Sequence, residues 1–96
     1  MNDSNTQHLS DLIKMFYERT KGPDYQYEVR IVQSWEKVVG KFIASHTTDI
    51  FIRNGILHVR IDSDALRNEL SYSKSVLMTN LNQCVGREIL KEIVFT

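Results

Sequence analysis

Several things are scarce in this sequence, and each scarcity removes a class of protein. There is one cysteine, Cys84, so no disulfide can form within the chain and a reducing compartment is expected. No apolar stretch approaches the roughly 18 residues of a membrane span. The opening residues, MNDSNTQHLSDL, lack a basic stretch followed by an apolar run, so no secretory signal is expected and the reading is cytoplasmic. Charge of one sign is also missing. Twelve Lys and Arg balance twelve Asp and Glu for a net charge of zero, which argues against a protein held on nucleic acid by its overall charge and leaves only a local basic patch.

Catalytic and ligand motifs are missing too. The four glycines, Gly22, Gly40, Gly55 and Gly86, are isolated, so there is no phosphate loop, no dinucleotide fingerprint and no G-x-x-G clamp for single strands. His8, His46 and His58 share no metal-ligand spacing, and no second cysteine accompanies Cys84, so neither a metal nor a cofactor is expected. Cys84 falls on an apolar helical stripe and reads as a packed thiol rather than a nucleophile. With no other carboxylate or serine constellation, the chain reads as a non-enzyme.

What is present is ordinary globular material. The chain has 96 residues, 42% hydrophobic and 25% charged, which suits one domain. Residues 1–8 are polar and read as a disordered N-terminus; a single domain is expected over residues 9–96. Leu9, Leu12, Ile13, Phe16 and Tyr17 make the stripe of an amphipathic helix, stopped by Lys21-Gly22-Pro23-Asp24. Asp24 is then placed to cap a second helix with the stripe Ile31, Val32, Trp35, Val38, Val39, Phe42 and Ile43. The stripe keeps helical phase through Gly40, although glycine inside a helix costs about 1 kcal/mol relative to alanine. One bent helix with another backbone packed close to Gly40 is the favoured reading. The alternative is a break with Gly40 in the left-handed region and a short helix after it.

Thr47 to Asp62 spells a hairpin. Asn54-Gly55 suits a type I′ turn, whose two central residues both need positive φ. That turn pairs Ile50 with Val59, Ile52 with Leu57 and Thr48 with Ile61 on the core side. The opposite face carries Asp49 across from Arg60, Phe51 across from His58, and Arg53 across from Ile56. Ser63 or Asp64 caps a third helix with the stripe Leu66, Leu70, Leu77, Leu81 and Cys84 or Val85, weak at Ser71 to Ser75 and ended by Gly86. Glu88 to Thr96 reads as a last strand, parallel to the second because a helix crosses between them.

The order α-α-β-β-α-β predicts an α+β, KH-like domain: a three-stranded sheet with helices packed on one face. Its expected core includes Trp35, Val39, Gly40, Ile50, Ile52, Leu57, Val59, Ile61, Leu66 and Leu70. Two sets of residues are candidates for contact with a partner or nucleic acid. Phe51, Arg53, Ile56, His58 and Arg60 share the open sheet face, and Lys37 and Lys41 form an i, i+4 basic pair on the second helix.

The ordered signals resemble a known family. Trp35-x-x-Val38-Val39-Gly40 is followed by Ile43-Ala44-x-His46-Thr47 and the hairpin Gly55-x-Leu57-x-Val59-x-Ile61. Then come Ser63-x-Ala65-Leu66-x-x-Glu69-Leu70, Leu77-x-x-x-Leu81-Asn82-x-x-x-Gly86 and Ile93-x-Phe95. This set is similar to the DciA-like family, long catalogued as a domain of unknown function, over about residues 9–96. The resemblance implies a KH-like fold akin to the N-terminal domain of the initiator DnaA. It also implies a cytosolic bacterial protein without catalytic residues that engages the DnaB-type replicative helicase and assists its loading, with DNA binding in some members. Leu66 stands where many relatives carry Trp, and no basic extension follows Thr96 in this sequence; both departures make helicase contact a firmer expectation than DNA contact.

Overall fold

A computed structural model describes residues 22–96. The polar stretch 1–8 and the helix expected over Leu9 to Tyr17 lie outside the described residues. The described elements are helices α1 (Tyr25–Gln33), α2 (Trp35–Val39) and α3 (Lys41–Ser45), strands β1 (Thr47–Arg53) and β2 (Ile56–Ile61), helices α4 (Asp64–Ser71) and α5 (Lys74–Val85), and strand β3 (Glu92–Phe95).

The hairpin forms where the turn chemistry requires it. Asn54 at φ 53° and Gly55 at φ 79° supply the two positive φ values of the primed turn. Ile50 then faces Val59, Ile52 faces Leu57, Phe51 faces His58, Asp49 faces Arg60 and Arg53 faces Ile56. The expected Thr48–Ile61 pair does not form. A bulge between Thr47 and Asp49 brings Thr47 opposite Ile61, and Thr48 is left exposed with its hydroxyl donating to the Arg60 carbonyl at 3.4 Å. The Thr47 hydroxyl accepts from the Trp35 indole at 3.0 Å and donates to the Ile43 carbonyl at 3.0 Å.

Strand β3 runs parallel to β2, giving the order β1-β2-β3. It is shorter than the sequence suggests. Ile89 and Leu90 are buried but belong to the approach to the strand, because their N–H groups bond to a side chain instead of a ladder. That side chain is Asn82, whose Oδ1 accepts from Ile89 N–H at 3.0 Å and Leu90 N–H at 2.9 Å while its Nδ2 donates to the Leu90 carbonyl at 3.2 Å.

The second expected helix is three pieces. The Asp24 carboxylate makes no capping bond to α1; its backbone carbonyl accepts from Tyr27 and Glu28 N–H instead. At Ser34 the hydroxyl donates back to the Arg30 carbonyl at 2.8 Å, a local bond that competes with helix propagation. At Gly40 the backbone takes φ 93° and ψ 165°, a region only glycine adopts readily. The break with a short helix after Gly40 is the reading that forms, whereas the single bent helix and the left-handed placement of Gly40 are corrected. It is neither inside a helix nor in the left-handed helical region, and it is exposed rather than part of the core, since an added Cβ would meet nothing within 4 Å.

The third expected helix divides at Tyr72 and Ser73 into α4 and α5, within the weak stretch. Ser63 is the cap, its Oγ accepting from Leu66 N–H at 3.3 Å, and Gly86 closes α5 in the left-handed region at φ 69°. The helices cover one face of the sheet. Ile31, Leu57, Val59, Ile61, Leu81 and Ile93 are the largest fully buried side chains, and Trp35, Ile50, Ile52 and Leu70 are buried with them. Val39 and Leu66 are half-buried at the rim of this core. The fold is α+β and KH-like, with a mixed three-stranded sheet.

Candidate interaction surfaces

Strand alternation sends Phe51, His58 and Val94 to the outer face as one row across three strands, and Arg53, Ile56 and Glu92 as the next. None of these six is buried. Phe51 and His58 stack with centroids 4.7 Å apart and planes 9° from parallel. The Arg53 guanidinium lies 5.7 Å from the Phe51 centroid, within cation–π range. Arg60 is exposed, directly across the ladder from the exposed Asp49. The outer face is thus an aromatic pair edged by Arg53 and Arg60, with Asp49 and Glu92 at its margins.

Lys37 and Lys41 are both exposed but sit on different helices, α2 and α3, with Gly40 between them. The expected i, i+4 pair on one helix is not realised. The break has a second result that helical phase does not signal: Phe42, which falls on the core stripe in the sequence, is 66% exposed. Its ring meets the His46 ring edge-on at 5.0 Å and 71°. His46 closes α3 and does more than meet the Phe42 ring. Its Nδ1 pairs with Asp62 Oδ1 at 2.7 Å, and the Asp62 N–H donates to the His46 carbonyl at 3.0 Å. The pattern of apolar residues carries no sign of this cross-chain link.

A cleft of 710 Å³ opens between the start of α1, the hairpin turn and the approach to β3, lined among others by Asp24, Glu28, Arg53, Glu88 and Lys91. Burial raises the Glu28 carboxyl above its ordinary range, and the neighbouring Asp24 charge adds to the rise. Cys84 is half-buried on α5. Among the described residues no group of three or more His, Cys, Asp or Glu side chains is placed to hold a metal ion, and no helix is long and apolar enough to cross a membrane.

The fold is that of a small KH-like α+β domain. Comparison with known proteins carries this further: the family model described as "Dna[CI] antecedent, DciA" matches residues 8–95, and the chain belongs to that family. A UPF0232 protein of Mycobacterium marinum is 29% identical over 90 residues, covering 94% of this chain and 48% of the relative. A UPF0232 protein of Rhodococcus jostii is 30% identical over 69 residues, covering 72% of this chain and 37% of the relative. The chain therefore spans about half, or less, of the length of the curated relatives it matches. No solved structure matches it.

Proposed function

We propose that the chain is a non-enzymatic, cytoplasmic binding module of bacterial DNA replication that engages the DnaB-type replicative helicase and assists its loading on DNA. The observation that carries this reading is membership of the Dna[CI] antecedent family across residues 8–95. The test is a pull-down with the cognate helicase followed by a helicase-loading assay. Binding is expected; no binding at about tens of micromolar, a weak affinity even for a transient contact, sinks the reading.

A second reading rests on the outer sheet face. The Phe51–His58 stack, with Arg53 against it and Arg60 nearby, offers aromatic surface and cations suited to a nucleic acid strand. Binding to single- and double-stranded DNA is measured against salt. Phosphate contacts give log affinity that falls linearly with log salt, and negligible binding with no slope removes this reading. Comparing Phe51→Ala with Arg53→Ala separates stacking from charge.

A further inference from the structure

We infer that the knuckle made by α2, Gly40 and α3 is the surface that meets the helicase, and that it receives an acidic helicase segment carrying an apolar anchor. This inference rests on the helicase reading above and assigns it a location and a chemistry.

The first observation is a conflict between pattern and structure. Phe42 keeps the phase of the buried stripe through Trp35 and Val39, yet it is 66% exposed. A local rule broken without a packing cause is where function is sought. Here the cause is Gly40, whose φ of 93° and ψ of 165° turn α3 out of register with α2. Nothing within 4 Å would obstruct a side chain at that position, so glycine serves the backbone conformation alone.

The exposed ring is also held. Its edge-to-face contact with His46 is backed by the His46–Asp62 link, which fastens the end of α3 to the end of β2. An aromatic side chain already restrained loses little freedom on binding, as an anchor residue requires.

Charge then selects the occupant. Lys37 and Lys41 both precede Phe42 on the α2–Gly40–α3 segment, are exposed, and form none of the ion pairs among the described residues. Asp62, the acidic group linked to the knuckle, is taken by His46, while Glu36 is exposed beside Lys37. The contrast is with Tyr72 and Val76, which are also exposed apolar residues. The lysine between them, Lys74, lies 3.9 Å from the Glu92 carboxylate, so its charge has an acidic neighbour. An exposed aromatic anchor that shares its segment with two lysines lacking an ion pair among the described residues complements carboxylates set around an apolar pocket or side chain.

The experiment measures binding of the full chain to the purified cognate helicase at low and high salt, with thermal melts confirming that each variant is folded. Phe42→Ala is expected to weaken binding about 30-fold, the scale of a hot-spot truncation. The double variant Lys37→Glu, Lys41→Glu is expected to weaken it about tenfold at low salt and to flatten its salt dependence. Tyr72→Ala, Val76→Ala is expected to bind like the parent chain. If the parent binds and both knuckle variants bind equally well, the inference is overturned and the helicase reading stands. If the knuckle variants lose only DNA binding, the inference is likewise overturned. If the parent chain does not bind, both fall together.

Discussion

Trp35 and Thr47 are joined by a hydrogen bond from the indole Nε1 to Thr47 Oγ1 at 3.0 Å, and the Thr47 hydroxyl in turn donates a hydrogen bond to the Ile43 carbonyl at 3.0 Å. One threonine thereby ties α2, α3 and the first position of β1 together. The Trp35 ring is buried and lies 6.3 Å from the Phe95 ring. Trp35→Ala is expected to cost about 3–5 kcal/mol, a large part of the stability of a small domain. Thr47→Val, which keeps the shape and removes the acceptor, is expected to cost about 1–3 kcal/mol. Urea denaturation measures both; a Trp35→Ala loss under about 1 kcal/mol contradicts its place in the core.

Asn82 replaces a missing stretch of ladder between α5 and β3. Its three bonds to Ile89 and Leu90 imply a cost of about 2–3 kcal/mol for Asn82→Ala, summing modest net contributions. Hydrogen exchange gives a sharper readout. The Ile89 and Leu90 amides should lose protection in Asn82→Ala while Ile50 and Val59 keep theirs at matched stability, and equal loss across all four would refute a local role.

Gly40 separates backbone demand from packing demand. Gly40→Ala is expected to destabilise by about 1–3 kcal/mol, since a side chain rarely takes its φ of 93°. A D-alanine placed there by chemical synthesis should be tolerated, because the mirror image of φ 93° and ψ 165° is an ordinary extended backbone. Similar losses for both enantiomers would mean that crowding sets the requirement.

Glu28 gives the stability curve a direction. Its folded-state carboxyl is raised by burial and by Asp24, so the folded protein holds that proton more tightly than the unfolded chain. This group's contribution to stability accordingly declines as pH rises from the unfolded value, 4.5, through the raised folded value, and levels above it. Glu28→Gln should raise the melting temperature at neutral pH and lose that advantage near about pH 4, where the parent carboxyl is protonated in both states. A gain of the same size at both pH values would rule out the titration.

Local chemistry made much of the fold readable. Asn54-Gly55 determines its own turn, and strand alternation from it places Ile50, Ile52, Leu57 and Val59 inward and Phe51, His58 and Arg53 outward. Alternation cannot announce a bulge, and Thr47 and Thr48 are the same residue type, so the ladder's slip there left no mark in the sequence. Helical periodicity failed at Gly40 for a related reason. The stripe from Ile31 to Ile43 stays in phase, but phase does not report that α2 and α3 are single turns set apart by a special backbone. Phe42 therefore falls on the apolar stripe in the sequence, and of the segment around it only the pair Lys37 and Lys41 stands out as a candidate surface. Asn82 and the His46–Asp62 link were hidden because a polar side chain in a helix, or at its end, looks the same whether it meets water or a distant backbone.

The parallel pairing of β2 with β3 carries a consequence for the order of assembly. The hairpin closes across two residues, whereas β3 must wait for α4, α5 and the Asn82 tether before it can align beside β2. Local pairs of this kind form in about microseconds, while partners distant in sequence first require the entropy loss of a long closure. Substitutions in the turn at Gly55 should therefore slow refolding, and Asn82→Ala should chiefly speed unfolding. Stopped-flow chevrons with the reverse pattern would place the crossover, not the hairpin, in the nucleus. A chain still emerging from the ribosome would hold an open strand edge at β2 until the residues of β3 arrived.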